Sequence, residues 1–261
     1  MSEDKYPLNA MMEDGLTGAE FRSFSTMPPR TLDQAYALQD SLSSSLIRHH
    51  HRKEVCGWKI AANSAMLLER FKLEEPLSGR IFDDQKLETG AQLSLTNYRQ
   101  FAFEPEIAAI MGADLPALSG RLDNETVSKA IDRLVPAVEL IDMRDIQMEG
   151  IHLPDVVAQN ISNVGAIIGG PGVAPEALDV SALRTQVSVN GTQELDVTGA
   201  APQTPLEAVK WLAEHLSSRG LALSAGQVVL CGTHSPIWHL EQASEVEITM
   251  SGLGQVSFNL S

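Results

Sequence analysis

Apolar residues recur along this chain with two periods, and the change between them divides it. Leu32, Ala35, Leu38, Leu42 and Leu46 stand at helical spacing behind Thr31-Leu32-Asp33-Gln34, a capping-box sequence, so a helix is expected to about His50. Residues 1–30 before it are polar and close on Met27-Pro28-Pro29-Arg30, a lead-in segment. A short strand is expected over Glu54–Ala61. A helix opened by Asn63 or Ser64 should follow, carrying Met66, Leu67, Phe71 and Leu73, with a turn or short strand at Gly79–Asp84. The bulky apolar run from Phe101 to Ile110, FAFEPEIAAI, reads as a strand. Asn124 should cap a helix through Val127, Ala130, Ile131 and Leu134 that stops near Pro136, and Pro136–Met143 reads as a buried strand.

Toward the C-terminus the strand period dominates. Val187 to Thr192 alternates and then meets Asn190-Gly191, a strong hairpin signal. Thr204-Pro205-Leu206-Glu207 joins a capping box to a proline at the first helical position. Its buried stripe is Leu206, Val209, Leu212, Ala213 and Leu216, and Gly220 ends it. Val228–Cys231, Val246–Met250 and Val256–Leu260 are strands, the last two joined through Gly252 and Gly254. The expected fold class is α+β, with a small helical region over residues 1–75 and a β-rich domain over 76–261.

Composition narrows the function classes. At 261 residues and 43% hydrophobic the chain can bury a large core, and no apolar run approaches the ~20 residues that cross a bilayer. The N-terminus lacks a hydrophobic signal segment. Cys56 and Cys231 both sit in apolar context, which fits a reduced, cytoplasmic protein. A net charge of −15 argues against nucleic acid and anionic membranes as partners. It also means that an anionic small molecule would need a local cation.

The polar residues set inside apolar runs carry the candidate chemistry. On a strand, Glu104 and Glu106 share one face with Ala102, Ala108 and Ile110, ~6.5–7 Å apart. They either face water or converge on a partner, and a divalent cation is a fitting partner for buried carboxylates. Glu139 has two apolar neighbours on each side, so it needs one too: Arg144 in its own segment, or a metal shared with Glu104 and Glu106. Three carboxylates suit Mg²⁺ or Mn²⁺ better than Zn²⁺. Lys59 is the reverse case, a cation in an apolar strand that belongs near these acids. His234, in the loop Gly232-Thr233-His234-Ser235-Pro236 after a buried strand, stands where loops line ligand sites. Catalytic roles are expected for Lys59 and His234, with Thr233 and Ser235 contacting substrate. His49-His50-His51 reads as a solvated helix end, since adjacent helical residues diverge.

Four segments in order, Gly57-Trp58-Lys59-Ile60, Glu104-Pro105-Glu106-Ile107-Ala108, Glu139-Leu140-Ile141-Asp142-Met143-Arg144, and Pro205-Leu206-Glu207-Ala208-Val209 through Gly226, resemble the 2-keto-4-pentenoate hydratases. The related 4-oxalocrotonate decarboxylases share the order, and both belong to the fumarylacetoacetate hydrolase superfamily. The resemblance runs from about Thr31 to Phe258. It implies a rolled mixed β-sheet core, homo-oligomeric assembly, a divalent metal on Glu104, Glu106 and Glu139, and a lysine, Lys59, near the substrate. It further implies a small-molecule 2-oxo acid or 2-hydroxydienoate substrate from meta-cleavage of aromatic compounds. Asn160, in Ala158-Gln159-Asn160, is expected to contact that substrate.

Four segments depart from the usual hydratase pattern, the loop Gly232-Thr233-His234-Ser235 by differing from the usual small-residue form. Pro76-Leu77-Ser78-Gly79 has leucine where an aspartate is usual, Ala158-Gln159-Asn160 has glutamine for aspartate, and Lys59-Ile60-Ala61-Ala62-Asn63-Ser64 replaces Lys-Ile-Gly-Leu-Thr-Ser. The expected activity is metal-dependent hydration through a chelated enolate. The alternatives are decarboxylation of a 2-oxo-enedioate and a non-catalytic, metal-containing partner subunit.

Overall fold

The computed structural model describes residues 6–24, 29–115, 117 and 120–261. Its first half holds α1 (Tyr6–Thr17), α2 (Leu32–Arg48), β1 (Val55–Ala61), α3 (Ala65–Phe71), β2 (Leu77–Phe82), β3 (Lys86–Glu88), β4 (Ala91–Leu93) and β5 (Phe101–Met111). Next come α4 (Asn124–Ala130), β6 (Ile131–Asp142), α5 (Leu153–Ala158), β7 (Asn163–Ile168) and β8 (Gly170–Pro171). The last part holds β9 (Arg184–Val189), β10 (Thr192–Thr198), α6 (Pro205–Ser218), β11 (Val228–Thr233), β12 (Trp238–His239), β13 (Ser244–Met250) and β14 (Gly254–Leu260).

Two mixed sheets result. The larger has the order β2-β1-β11-β5-β6-β7-β3, with β12 also on β5, and the smaller β10-β9-β13-β14-β4, with β8 on β14. β1–β11, β3–β7 and β4–β14 are parallel pairs and the others antiparallel. The main core lies between the sheets and under α6, where Phe103, Ile107, Leu140, Leu212, Val229 and Phe258 meet. A smaller cluster on the other face of the large sheet holds Ile81, Ala108, Ala137, Ala166 and Leu230. That sheet is therefore apolar on both faces, and any charge within it needs a partner.

The N-terminal helices pack as a third cluster in which Met11, Tyr36 and Leu42 meet Leu77 of β2 and Val157 of α5. Within the lead-in over 1–30 the structure forms a helix, α1. Burial of Ala10 and Met11 against α2 and the Arg22–Asp14 ion pair hold it, and neither shows as a local pattern. Residues 1–5 and 25–28, Met27 and Pro28 among them, lie outside the described residues. The division expected at residue 75 falls between β1 and β2, which pair with each other through six residues. The helix expected through Leu134 ends at Ala130. From Ile131 onward the chain pairs with the whole of β5, and that ladder outweighs local helical spacing. Its cap is Asp123, which accepts the Thr126 N–H at 2.7 Å. Among the described residues no helix is long and apolar enough to cross a membrane.

Candidate metal centre

The antiparallel register of β5 and β6 sets Glu104 directly opposite Glu139 and Glu106 opposite Ala137. Directly opposed side chains share a face, and so do residues two apart. The three acids therefore meet on the smaller apolar cluster's side, with one carboxylate oxygen from each within 4.8 Å of the others. Glu106 and Glu139 are fully buried, and Glu104 keeps an edge open to solvent.

Lys59 reaches this point from β1, two strands from β5. Its Nζ lies 3.0 Å from Glu139 Oε1, with both side chains buried. The acid's ion-pair partner is thus Lys59. Arg144 instead donates to the Gln159 side chain. Asn163 Nδ2 donates to the same Glu139 oxygen at 3.0 Å, and the Gly232 N–H donates to Glu106 Oε2 at 2.6 Å. Glu106 Oε1 and Glu139 Oε2 remain buried without a protein partner.

One cation among three acids leaves the cluster electrostatically unbalanced. Burial, then the neighbouring Glu139 charge, pushes Glu104 up to about 7, and burial, then the Glu139 and Glu104 charges, raises Glu106 well above its ordinary value. For Lys59, burial works to lower the pKa, but Glu139, Glu104 and Glu106 together overcome it and hold the ammonium above the ordinary lysine value. Two orphaned carboxylate oxygens within an all-oxygen donor set fit a hard divalent cation. Glu104, Glu106 and Glu139 are the residues that would hold it.

The other expected site residues lie differently. His234 does not join the acids: its Nδ1 is 2.8 Å from Thr185 Oγ1 of β9, in the second sheet, and burial lowers its pKa to about 4. Its Nε2 is buried without a partner. Thr233 pairs in register with Glu106, but its hydroxyl donates to the Ser235 carbonyl at 2.8 Å. Ser235 Oγ accepts the Trp238 indole N–H at 2.8 Å, so both hydroxyls brace the loop.

Asn160 clamps β2, accepting the Arg80 N–H at 2.6 Å and donating to the Arg80 carbonyl at 2.8 Å. A Cβ on Gly79 would stand 3.2 Å from Asn160 and 3.3 Å from Lys59 Cγ, so glycine there lets this loop approach the lysine. Asn160, Ile161 and Ser162 all have positive φ (63°, 52° and 58°), a strained run that ends on Asn163. Asn163 escapes a reading of sequence pattern. Its one signal is a polar residue heading the apolar run NVGAII.

The fumarylacetoacetate (FAA) hydrolase C-terminal family profile matches residues 82–261, and the chain belongs to that family. Within it, the chain is 31% identical over 246 residues to the 2-keto-4-pentenoate hydratase of Paraburkholderia xenovorans (strain LB400), covering 94% of this chain and 89% of that one. It is 28% identical to a 4-oxalocrotonate decarboxylase of Pseudomonas sp, over 89% of this chain and 90% of the relative. Among solved structures, the 4-oxalocrotonate decarboxylase from Pseudomonas putida G7, complexed with magnesium and adipate, superposes with a TM-score of 0.88. At 23% identity it covers 100% of this chain and 99% of its own, which shows that the fold is shared.

Proposed function

We propose that this chain is a divalent-metal-dependent hydratase acting on a 2-hydroxydienoate or its 2-oxo-enoate form in the meta-cleavage breakdown of aromatic compounds. The carrying observation is the cluster of Glu104, Glu106 and Glu139 beside Lys59, with two acid oxygens left unpaired in an apolar face. Bound Mg²⁺ or Mn²⁺ supplies Lewis acidity toward the carboxylate and 2-oxo oxygen of such a substrate.

The protein's own groups do the rest. Gly232 and Asn163 fix the Glu106 and Glu139 carboxylates through one oxygen each and leave the other free. Lys59, held protonated by the acids, presents the positive charge that a substrate anion requires in a chain of net charge −15. Its remaining N–H bonds can give a proton to the substrate carbon chain and take one back. Apolar residues such as Ala108, Ala137 and Leu230 pack around the cluster and limit its contact with bulk water.

Decarboxylation of a 2-oxo-enedioate is the second reading, favoured by Leu77. This residue lies on β2 two positions from Gly79, the register partner of Lys59, and it is buried and apolar. It offers no acid or base for activating water, which loss of carbon dioxide does not require. Incubating the protein with Mg²⁺ and a panel of 2-hydroxydienoates and 2-oxo-enedioates separates the readings. Loss of dienol absorbance without carbon dioxide is expected. Release of carbon dioxide would favour the second reading, and no turnover would overturn both. The same reading carries cytoplasmic homo-oligomers, which light scattering would detect.

A further inference from the structure

β11 does not run regularly past the acids. Its parallel register with β1 ends at Leu230, opposite Lys59, and its antiparallel register with β5 shifts between Leu230 and Thr233. Cys231 and Gly232 fall in that bulge, and side chains hold the peptide between them at both ends. Asn63 Nδ2 donates to the Cys231 carbonyl at 2.9 Å, and the Gly232 N–H donates to Glu106 Oε2 at 2.6 Å. The carbonyl and the N–H of one trans peptide point opposite ways in a single plane. Fixing the carbonyl therefore aims the N–H at the acid.

The local backbone delivers Asn63 to this task. β1 ends at Ala61, and Ala62 turns the chain with a positive φ of 55°. The next helix is capped by Ser64, whose hydroxyl accepts the Leu67 N–H at 3.3 Å, so Asn63 is not needed as a cap. Its side chain is buried against the bulge instead. Gly232 has φ +111°, and a Cβ there would stand 2.5 Å from Asn63 Nδ2 and 2.8 Å from Pro202 Cγ. Only glycine leaves room for the amide to come this close. An N–H donated to the carbonyl also polarises the peptide and strengthens the bond it makes at its other end.

We infer that Asn63 is a positioning residue for the metal centre: through the Cys231–Gly232 peptide it locks Glu106 Oε2 and leaves Oε1 as the oxygen free for a cation. Glu106 Oε1 is buried without a protein partner, and Glu106 is one of the three clustered acids. The inference rests on the divalent-metal reading above. Asn163 holds Glu139 by direct contact, whereas Asn63 acts on Glu106 one peptide further out. The segment from Lys59 to Asn63 thus sets two of the acids at once, Glu139 by the ion pair and Glu106 by the bulge.

The test is a double-mutant cycle on Mn²⁺ affinity, with Mn²⁺ titrated into the full-length protein and the free ion read from its solution EPR signal. Asn63→Ala removes the donor, and Asn63→Leu removes it while keeping bulk, should the space left by alanine unfold the loop. Each is expected to weaken Mn²⁺ binding about 10-fold, the lower end of the loss when an outer partner of a ligand is removed. In a Glu106→Gln background, where the aimed oxygen is no longer a ligand, adding Asn63→Ala should change the affinity by less than about 2-fold. Unchanged affinity in both Asn63 variants would overturn the inference. So would an equal loss in the two backgrounds, the mark of a loosened bulge that disturbs the site as a whole. Both results leave the metal reading standing, because the wild type still binds. A wild type that binds no Mn²⁺ would overturn that reading and the role of Asn63 with it.

Discussion

Glu106 and Lys59 touch the same cluster, yet their removal should act on stability in opposite directions. Glu106 gives one oxygen to the Gly232 N–H and has none of the neighbouring cation to itself. Glu106→Gln removes one of three mutually repelling acids, so the metal-free protein is expected to keep or raise its Tm while Mn²⁺ affinity falls by more than about 10- to 100-fold, the scale of an outer-shell loss. Calorimetry showing unchanged Mn²⁺ affinity would sink the three-carboxylate site. Lys59→Met instead strands Glu139 in an apolar face. Breaking a buried pair costs about 3–5 kcal/mol, and the penalty should shrink when Mn²⁺ is added, because the cation replaces the lost charge. A Lys59→Met protein as stable as wild type in chelator would contradict the buried pair at 3.0 Å.

At the scale of elements, what was legible in the sequence depended on how local its cause is. α6 shows the Thr204 capping box in full, with the hydroxyl accepting from Glu207 N and the Glu207 carboxylate accepting from Thr204 N. Thr204→Ala is expected to cost about 1 kcal/mol, read as a lower midpoint in urea with an unchanged slope. The Asn190-Gly191 hairpin forms with both residues at positive φ, and β5 alternates as its spacing requires. At α2, Thr31 caps Gln34 as expected, but Gln34 returns its bond to the Arg30 N–H. Where long-range pairing decides, pattern fails. α1 depends on burial of Met11 by α2, and α4 yields to the β5–β6 ladder. The acids and Lys59 were visible because each is a charge inside an apolar run. Asn163 and the turn of His234 toward Thr185 were not, because both depend on which strand comes to lie beside them.

For the whole molecule, the acid cluster links folding to pH and to metal. Glu104 at about 7 and Glu106 above its ordinary 4.5 hold protons that the unfolded chain releases. Their contribution therefore favours the metal-free fold at low pH and is lost as pH rises through their folded values. Lys59, raised above 10.5, contributes stability that lasts until more alkaline pH and does not vary across this window. His215, lowered to about 4 by burial and then by Arg219, and His234, lowered to about 4 by burial, act with the opposite sign. Their contribution is present above 6.5 and lost as pH falls toward 4. These terms oppose one another, so a Tm profile in chelator mixes them. The gap between Tm with Mn²⁺ and Tm with chelator isolates the acids, since the cation binds only their ionised forms. That gap is expected to be small at pH 5 and to widen steadily to pH 8. In Glu106→Gln it should be smaller at every pH. A gap constant from pH 5 to 8 in the wild type would mean that the cluster does not exchange protons for metal.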